Sequence, residues 1–407
     1  MSALEQTEIV LDLSRLMSRM LHVMPTGVDR VEMAYARALI EHHPGPLHFA
    51  AINPFGIYGR LDAGAVSKFL NETEHRWGRS GNPGWLRLRT SALKHLWQLR
   101  PRRTRPVASG MRRVFVQSSP AHLQKPEAFE AKLKRERAPL ICLIHDLIPI
   151  EFPEYARPGG AEAHRLRMQT VAENAAVVLA NSKATAQSFK HFLTGSTHAP
   201  RIEVAHLGTD QRLIDRTPNA DWPQSPSKPY FVIVGTIEPR KNHLLLLHVW
   251  RKIVETMGPA APSLIVIGRR GWENENIVDL LERCEPLRDH VYEYASLSDE
   301  TMHMILRGAR ALLLPSFAEG FGMPVTEAMA IGIPVICSDL PALREASDNL
   351  AEFIDPIDGL SWMNMILDYA QSGSELREAQ CKRIAEWSPP TWRAHTTTLL
   401  ELVKEVS

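Results

Sequence analysis

The sequence predicts an α/β protein made of two doubly wound parallel-sheet domains. Three observations lead there. A chain of 407 residues is too long for one ordinary core and suggests two domains. Short, unbroken apolar runs recur along it, and such runs fit strands buried on both faces better than half-exposed ones. Helical patterns separate these runs in both halves, the alternation expected of a parallel sheet covered by helices.

In the first half the strands are expected at residues 9–13, 47–52, 114–117, 140–145, 177–180 and 202–205, with a helix over 29–42. A Pro-rich, polar stretch at 216–229 reads as an interdomain linker. This gives an N-terminal domain over 1–215 and a C-terminal domain over 216–389. In the second half the strands are expected at 230–234, 264–267, 291–294, 311–314, 334–337 and 352–354. Asn242 is expected to cap a helix over 243–257 that Gly258 stops. Ser298 is expected to cap a helix starting at Asp299, with acids in its first turn.

Composition narrows the function classes. Hydrophobic content of 44% and charged content of 23% describe a soluble globular protein. A net charge of +1 names no partner. Cys142, Cys284, Cys337 and Cys381 are scattered, which argues against a zinc site or a disulfide framework and fits a reducing compartment. The N-terminus is acidic, so a signal peptide is not expected. No apolar run approaches the ~20 residues of a spanning helix, so any membrane contact must be peripheral.

One segment breaks the pattern. Residues 76–113 carry many Arg and Lys residues, Trp77, Trp85 and Trp97, and no Asp or Glu. Trp85, Leu88, Ala92, Leu96 and Leu99 fall at helical spacing, with Arg87, Arg89, Lys94 and Arg100 around them. A basic amphipathic helix with tryptophans suits an anionic membrane surface. An ordinary surface helix whose apolar stripe packs on the domain has the same pattern. No nucleic-acid module accompanies the charge, and nucleic acid is not an expected partner.

The most informative stretch is Ser316-Phe-Ala-Glu-Gly-Phe-Gly-Met-Pro-Val-Thr-Glu-Ala-Met-Ala330. A strand leads into a small-residue loop carrying Glu319. Pro324 suits the first turn of a helix and Gly332 its end, so Glu327 lies about one turn in. The unpaired backbone N–H groups of a helix start, with the helix dipole, suit a phosphate. Two carboxylates beside an anion site can hold sugar hydroxyls. Arg240 and Lys241 follow the 230–234 strand, just past Gly235 and Thr236, well placed to meet a diphosphate. On the bare sequence they serve equally to solvate a loop.

This stretch resembles the signature of glycosyltransferase family 4, also called group 1, with its two glutamates separated by seven residues. The resemblance extends to Val234-Gly-Thr-Ile-Glu-Pro-Arg-Lys-Asn242, Ile267-Gly-Arg-Arg-Gly-Trp272, His145-Asp-Leu-Ile-Pro149 and Asn181-Ser-Lys183, in that family's order along the chain. It implies a GT-B fold: two Rossmann-like domains facing each other across a cleft, with a C-terminal helix, here 390–407, crossing back to the N-domain. It also implies a retaining, metal-independent transfer of a sugar from a nucleotide donor, with no cofactor. The resemblance leans towards bacterial surface-polysaccharide mannosyl- and rhamnosyltransferases. The expected donor is GDP-mannose, and the expected acceptor a lipid-linked glycan at the cytoplasmic face of the membrane. Alternatives are a dTDP- or UDP-dependent rhamnosyl- or glucosyltransferase, or a non-catalytic nucleotide-sugar-binding partner.

Carried over residue by residue, the resemblance assigns Glu327 to the donor ribose and Glu319 to the donor hexose. Gly320, Phe321, Gly322 and Met323 bring backbone N–H groups against hexose and phosphates, and Lys241 meets the diphosphate. Thr236 stands where the family usually has an arginine, and Arg240 is the substitute on offer. His145 faces the donor sugar, and Asp146 either orients it or caps the next turn. Gly27 and Arg30 offer a phosphate or acceptor contact, or only a tight turn. Arg270, or Arg269, approaches the phosphates.

Overall fold

A computed structural model describes residues 3–78, 84–102, 110–196, 198–210, 222 and 226–407. Most of the 216–229 linker expected from sequence therefore lies outside the described residues. The chain divides into two compact units. One comprises Met1–Gly208 with Thr391–Ser407, the other Thr209–Pro390.

The first unit is built on a seven-stranded sheet. Its strands are β1 (Thr7–Asp12), β2 (Leu47–Ile52), β3 (Tyr58–Arg60), β4 (Arg112–Gln117), β5 (Leu140–Ile144), β6 (Ala175–Ala180) and β7 (Arg201–Val204), in spatial order β3-β2-β1-β4-β5-β6-β7. All neighbours are parallel except β2 and β3. The order reverses between β1 and β4. β1 and β5 are buried along their whole length; β5 is an unbroken apolar run, and β1 is apolar at Ile9–Leu11 with polar residues at its two ends.

The second unit has a fully parallel six-stranded sheet. Its strands are β8 (Tyr230–Val234), β9 (Ser263–Ile267), β10 (Val291–Tyr294), β11 (Leu312–Leu314), β12 (Val335–Ser338) and β13 (Glu352–Ile354), in order β10-β9-β8-β11-β12-β13. Alternate residues of β8 enter different cores. Phe231 and Ile233 join Trp250 and Trp362 on one face, while Tyr230 and Val232 join Val325 and Leu343 on the other. Here the order reverses between β8 and β11. Both units are therefore doubly wound, as the alternation of strands and helices predicts.

The helix Trp392–Val406 packs within the first unit, against the helix Gly27–His42 and β6. Leu399, Leu402 and Val403 are buried there. The Tyr35 hydroxyl donates to His395 Nε2 at 2.6 Å, and His395 Nδ1 donates to the His206 carbonyl at 3.0 Å. Among the described residues, no helix is long and apolar enough to cross a membrane.

Two local expectations need correction. Asn242 occupies the N-cap position of the helix His243–Met257 but makes no side-chain cap. Its amide donates instead to the carbonyls of Pro315 and Pro356, tying the β8 loop to neighbouring loops. The expected stripe on the helix Trp85–Gln98 holds at Leu88, Ala92 and Leu99, with Leu96 half-buried, but not at Trp85. Leu88, Ala92 and His95 pack inward, with Leu99 behind them, because Phe69 and Glu72 of the preceding helix meet His95. Trp85 is 63% exposed, and a second apolar stripe of Leu86, Leu93 and Trp97 faces solvent.

Candidate active site

The second unit gathers its sequence-predicted residues at the carboxyl edge of the sheet, on both sides of the order reversal. Arg240 and Lys241 follow β8, and Glu319 follows β11. Doubly wound sheets bind ligands at such a reversal.

Glycines let the backbone close there. A Cβ on Gly268 would lie 1.8 Å from the Gly235 carbonyl oxygen, so the ends of β8 and β9 approach as only glycine permits. A Cβ on Gly235 would meet the aliphatic chain of Lys241, which lies across it. Gly322, at φ +105°, precedes the helix Met323–Ala330, and a Cβ there would lie 2.6 Å from Leu343. That helix ends as expected. Gly332 has φ +76°, the Ile333 N–H reaches the Ala328 carbonyl, and the Gly332 N–H reaches that of Met329. Glu327 is half-buried, one turn into the helix.

Glu319 is the hub. Its carboxylate accepts from Lys241 Nζ at 2.5 Å, Arg240 Nη1 at 3.0 Å and Ser316 Oγ at 2.7 Å. Burial alone would push this carboxyl up, but Lys241 and Arg240 beside it bring it down to about 2. It is a fixed anion at neutral pH, not an acid. Burial pushes the Lys241 ammonium down from its usual range, and Glu319 opposes that. Arg240 also donates to Glu238 and to the Ala318 carbonyl, so its guanidinium is aimed by three residues. Thr236 points elsewhere. A Cβ on Gly271 would lie 2.7 Å from its methyl, so the side chain lies against the 268–272 loop.

Arg270 does not join this cluster. Its guanidinium is held by Glu293 at 2.8 Å and Glu282 at 2.5 Å, at the β9–β10 side of the sheet. A diphosphate would have to compete with two carboxylates for it. Phe321 is buried, and Gly320 and Met323 flank the turn before the helix.

In the first unit, His145 follows β5. Its Nε2 donates to the Ser118 carbonyl at 2.9 Å, and that carbonyl can only accept, so Nδ1 is the acceptor nitrogen of the neutral ring. Burial pushes its pKa below the ordinary histidine value. The Asp146 carboxylate accepts from the Ile148 N–H at 3.2 Å and caps the next turn. Gly27 differs from expectation. A short helix, Ser14–Ser18, separates it from β1, and Gly27 begins the next helix rather than a strand-to-helix turn. A capping box of Thr26 and Asp29 closes that helix start, and Arg15 pairs with Asp29 at 2.6 Å. Arg30 is half-buried on the first turn.

Residues 217–356 match the family model described as "Glycosyl transferases group 1". The chain resembles the group 1 glycosyltransferases. It is 26% identical over 246 residues to the serotype-specific mannosyltransferase WbdA of Escherichia coli, covering 57% of this chain and 30% of that protein. It is 28% identical over 275 residues to the O-antigen chain mannosyltransferase B of Escherichia coli, covering 66% of this chain and 70% of that protein. The chain thus spans under a third of the length of WbdA. Among solved structures, Anabaena Alr3699/HepE in complex with UDP and glucose aligns over 98% of this chain and 99% of its own, with a TM-score of 0.62 at 14% identity. That likeness supports the GT-B fold.

The group 1 signature marks Glu319 and Glu327 but not the groups that set the charge of Glu319. Ser316 and Glu238 were missed. Ser316 lies three residues before Glu319, a local spacing that could have flagged it. Glu238 lies two before Arg240, and only the folded loop shows that it aims the guanidinium.

Proposed function

We propose that this protein is a glycosyltransferase that moves a hexose, mannose from GDP-mannose, onto a lipid-linked glycan with retention of configuration and without a metal. The observation that carries the reading is the Glu319–Lys241–Arg240 cluster at the order reversal of the second sheet, inside the stretch that matches the group 1 model. Mannose is favoured by the named mannosyltransferases to which the chain is similar.

Each residue has a role in this reading. Sugar departure leaves negative charge on a diphosphate, and Lys241 and Arg240 stabilise it where a metal would otherwise be needed. Glu319, ionised throughout the neutral range, orients the hexose and steadies positive charge at the anomeric carbon. Glu327 holds the ribose hydroxyls. The backbone of Gly235, Thr236, Gly320, Phe321, Gly322 and Met323 lies against phosphates and hexose. His145, neutral with Nδ1 as its acceptor, takes a hydrogen bond from a sugar hydroxyl. The protein works at the cytoplasmic face of the membrane, in peripheral contact through residues 76–113.

Thermal-shift measurements against GDP-mannose, UDP-glucose, an ADP-sugar and a dTDP-sugar, each with magnesium and with EDTA, test the reading. GDP-mannose is expected to raise the melting temperature equally in both. A shift with UDP or dTDP donors alone would move the donor to glucose or rhamnose. No shift with any donor would overturn the enzyme reading.

A further inference from the structure

The first unit holds a cavity of about 600 Å³ that no residue of the proposed donor site lines. It lies at the carboxyl edge of the sheet. Met17 comes from the helix after β1, Ile52 ends β2, and Lys125 lies beyond β4. Ala92, Leu93 and Leu96 of the helix Trp85–Gln98 complete the wall. This is the edge where doubly wound sheets take ligands, and the volume is that of a small-molecule site.

The lining is mostly apolar. Its fully charged side chains are Arg89 and Lys125, and among the described residues no carboxylate lines it. Arg89 lies 3.7 Å over the ring of Trp85. The same helix turns Leu86, Leu93 and Trp97 to solvent. A cavity of hydrocarbon character with cations in its wall, next to an exposed apolar stripe, is complementary to a long apolar chain that ends in an anion.

We propose that this cavity takes the apolar chain of an anionic lipid, with Arg89 and Lys125 meeting its phosphate head. The stripe of Leu86, Leu93 and Trp97 rests in the membrane that supplies the lipid. The proposal deepens the lipid-linked acceptor reading. It rests on that reading only for the lipid's role as acceptor, and lipid binding is measured without any transfer.

The probe is farnesyl phosphate below its aggregation threshold, titrated into the full-length protein by calorimetry, with inorganic phosphate and farnesol as controls. Saturable binding of farnesyl phosphate is expected, with binding at least tenfold weaker for each control. The exposed-site variants Leu93→Asp and Arg89→Glu/Lys125→Glu are expected to weaken it at least tenfold. They should leave the melting temperature and the GDP-mannose shift unchanged, which separates failure here from failure of the donor reading. No saturable binding, or unchanged affinity in both variants, would overturn the proposal. So would co-sedimentation with phosphatidylglycerol vesicles without saturable farnesyl phosphate binding, because the helix would then be a membrane surface and the cavity idle.

Discussion

Glu319 shows what a single buried charge does at the edge of a sheet. Two cations and a serine hydroxyl hold it, so the positive charges that the proposed function assigns to a diphosphate are balanced by a carboxylate. On that proposal, donor phosphates compete with Glu319 for Lys241 and Arg240. Glu319→Gln keeps the shape and removes the competitor. Transfer is expected to fall about 100-fold or more, the scale of losing a preorganised charge, while GDP affinity holds or rises. A variant that loses GDP binding together with transfer would show Glu319 to be a structural anchor of the loop. A second buried carboxyl behaves oppositely. Burial pushes Glu32 up to about 8, although the Ser119 side chain and the Leu16 N–H draw it down. An acid with a raised folded pKa stabilises the fold below its unfolded pKa, and that contribution is lost as pH rises towards 8. Stability should therefore decline by a few kcal/mol, as an order of magnitude, between about pH 5 and 8. In Glu32→Gln denaturant unfolding should lose that slope, and an unchanged slope would refute the assignment.

At the scale of elements, the close approach of Gly268 to Gly235 is the sharpest constraint on the loop after β8. A methyl at 268 cannot coexist with an oxygen 1.8 Å away, so β8 and β9 must separate at their ends. Gly268→Ala is expected to destabilise the second unit by about 2–4 kcal/mol and to abolish the nucleotide thermal shift. A variant with wild-type melting and binding would mean the loops flex apart at no cost. The elements differ in how legible they were. Parallel strands announce themselves because both faces are buried, and β8, β10 and β13 match their expected ranges. β3 was not legible. It is three residues with a central glycine, held by antiparallel pairing to β2 and by the ion pair of Arg60 with the distant Glu136 at 2.6 Å. The helix over 85–98 was legible as a helix, and Leu88, Ala92 and Leu99 of its stripe are buried as expected, while Trp85 is exposed. Two apolar stripes compete on it, and only the neighbouring helix, through Phe69 and Glu72, chooses which one packs. Glu319 lies 78 and 79 positions from Lys241 and Arg240 in sequence, and their adjacency at one sheet edge follows only from topology. Arg270 looked equivalent to them by loop position. Glu293 and Glu282, on separate elements, claim it.

For the whole molecule, the decisive feature is that the first unit is not contiguous in sequence. The chain leaves it at Gly208 and re-enters at Thr391, and the two crossings touch. A Cβ on Gly208 would lie 2.1 Å from the Trp392 nitrogen, and the Thr209 N–H donates to the Pro390 carbonyl. The returning helix is fastened by apolar contacts and by one polar chain, Tyr35 to His395 to the His206 carbonyl, all buried or nearly so. Burial brings His395 down to about 4, so both ring nitrogens depend on neutral partners. Tyr35→Phe leaves His395 Nε2 without its donor in a site that water does not reach. The expected cost is about 1–3 kcal/mol, the penalty of a stranded buried polar group. Because the helix completes the first unit, the loss should appear in the unfolding of that unit, while the nucleotide shift carried by the second unit persists. Hydrogen exchange resolved by peptide separates the two. Faster exchange is expected in 27–42, 175–180 and 392–406, with 230–267 unchanged. Faster exchange confined to 392–406 would mean that the helix detaches alone and that the first unit folds without it.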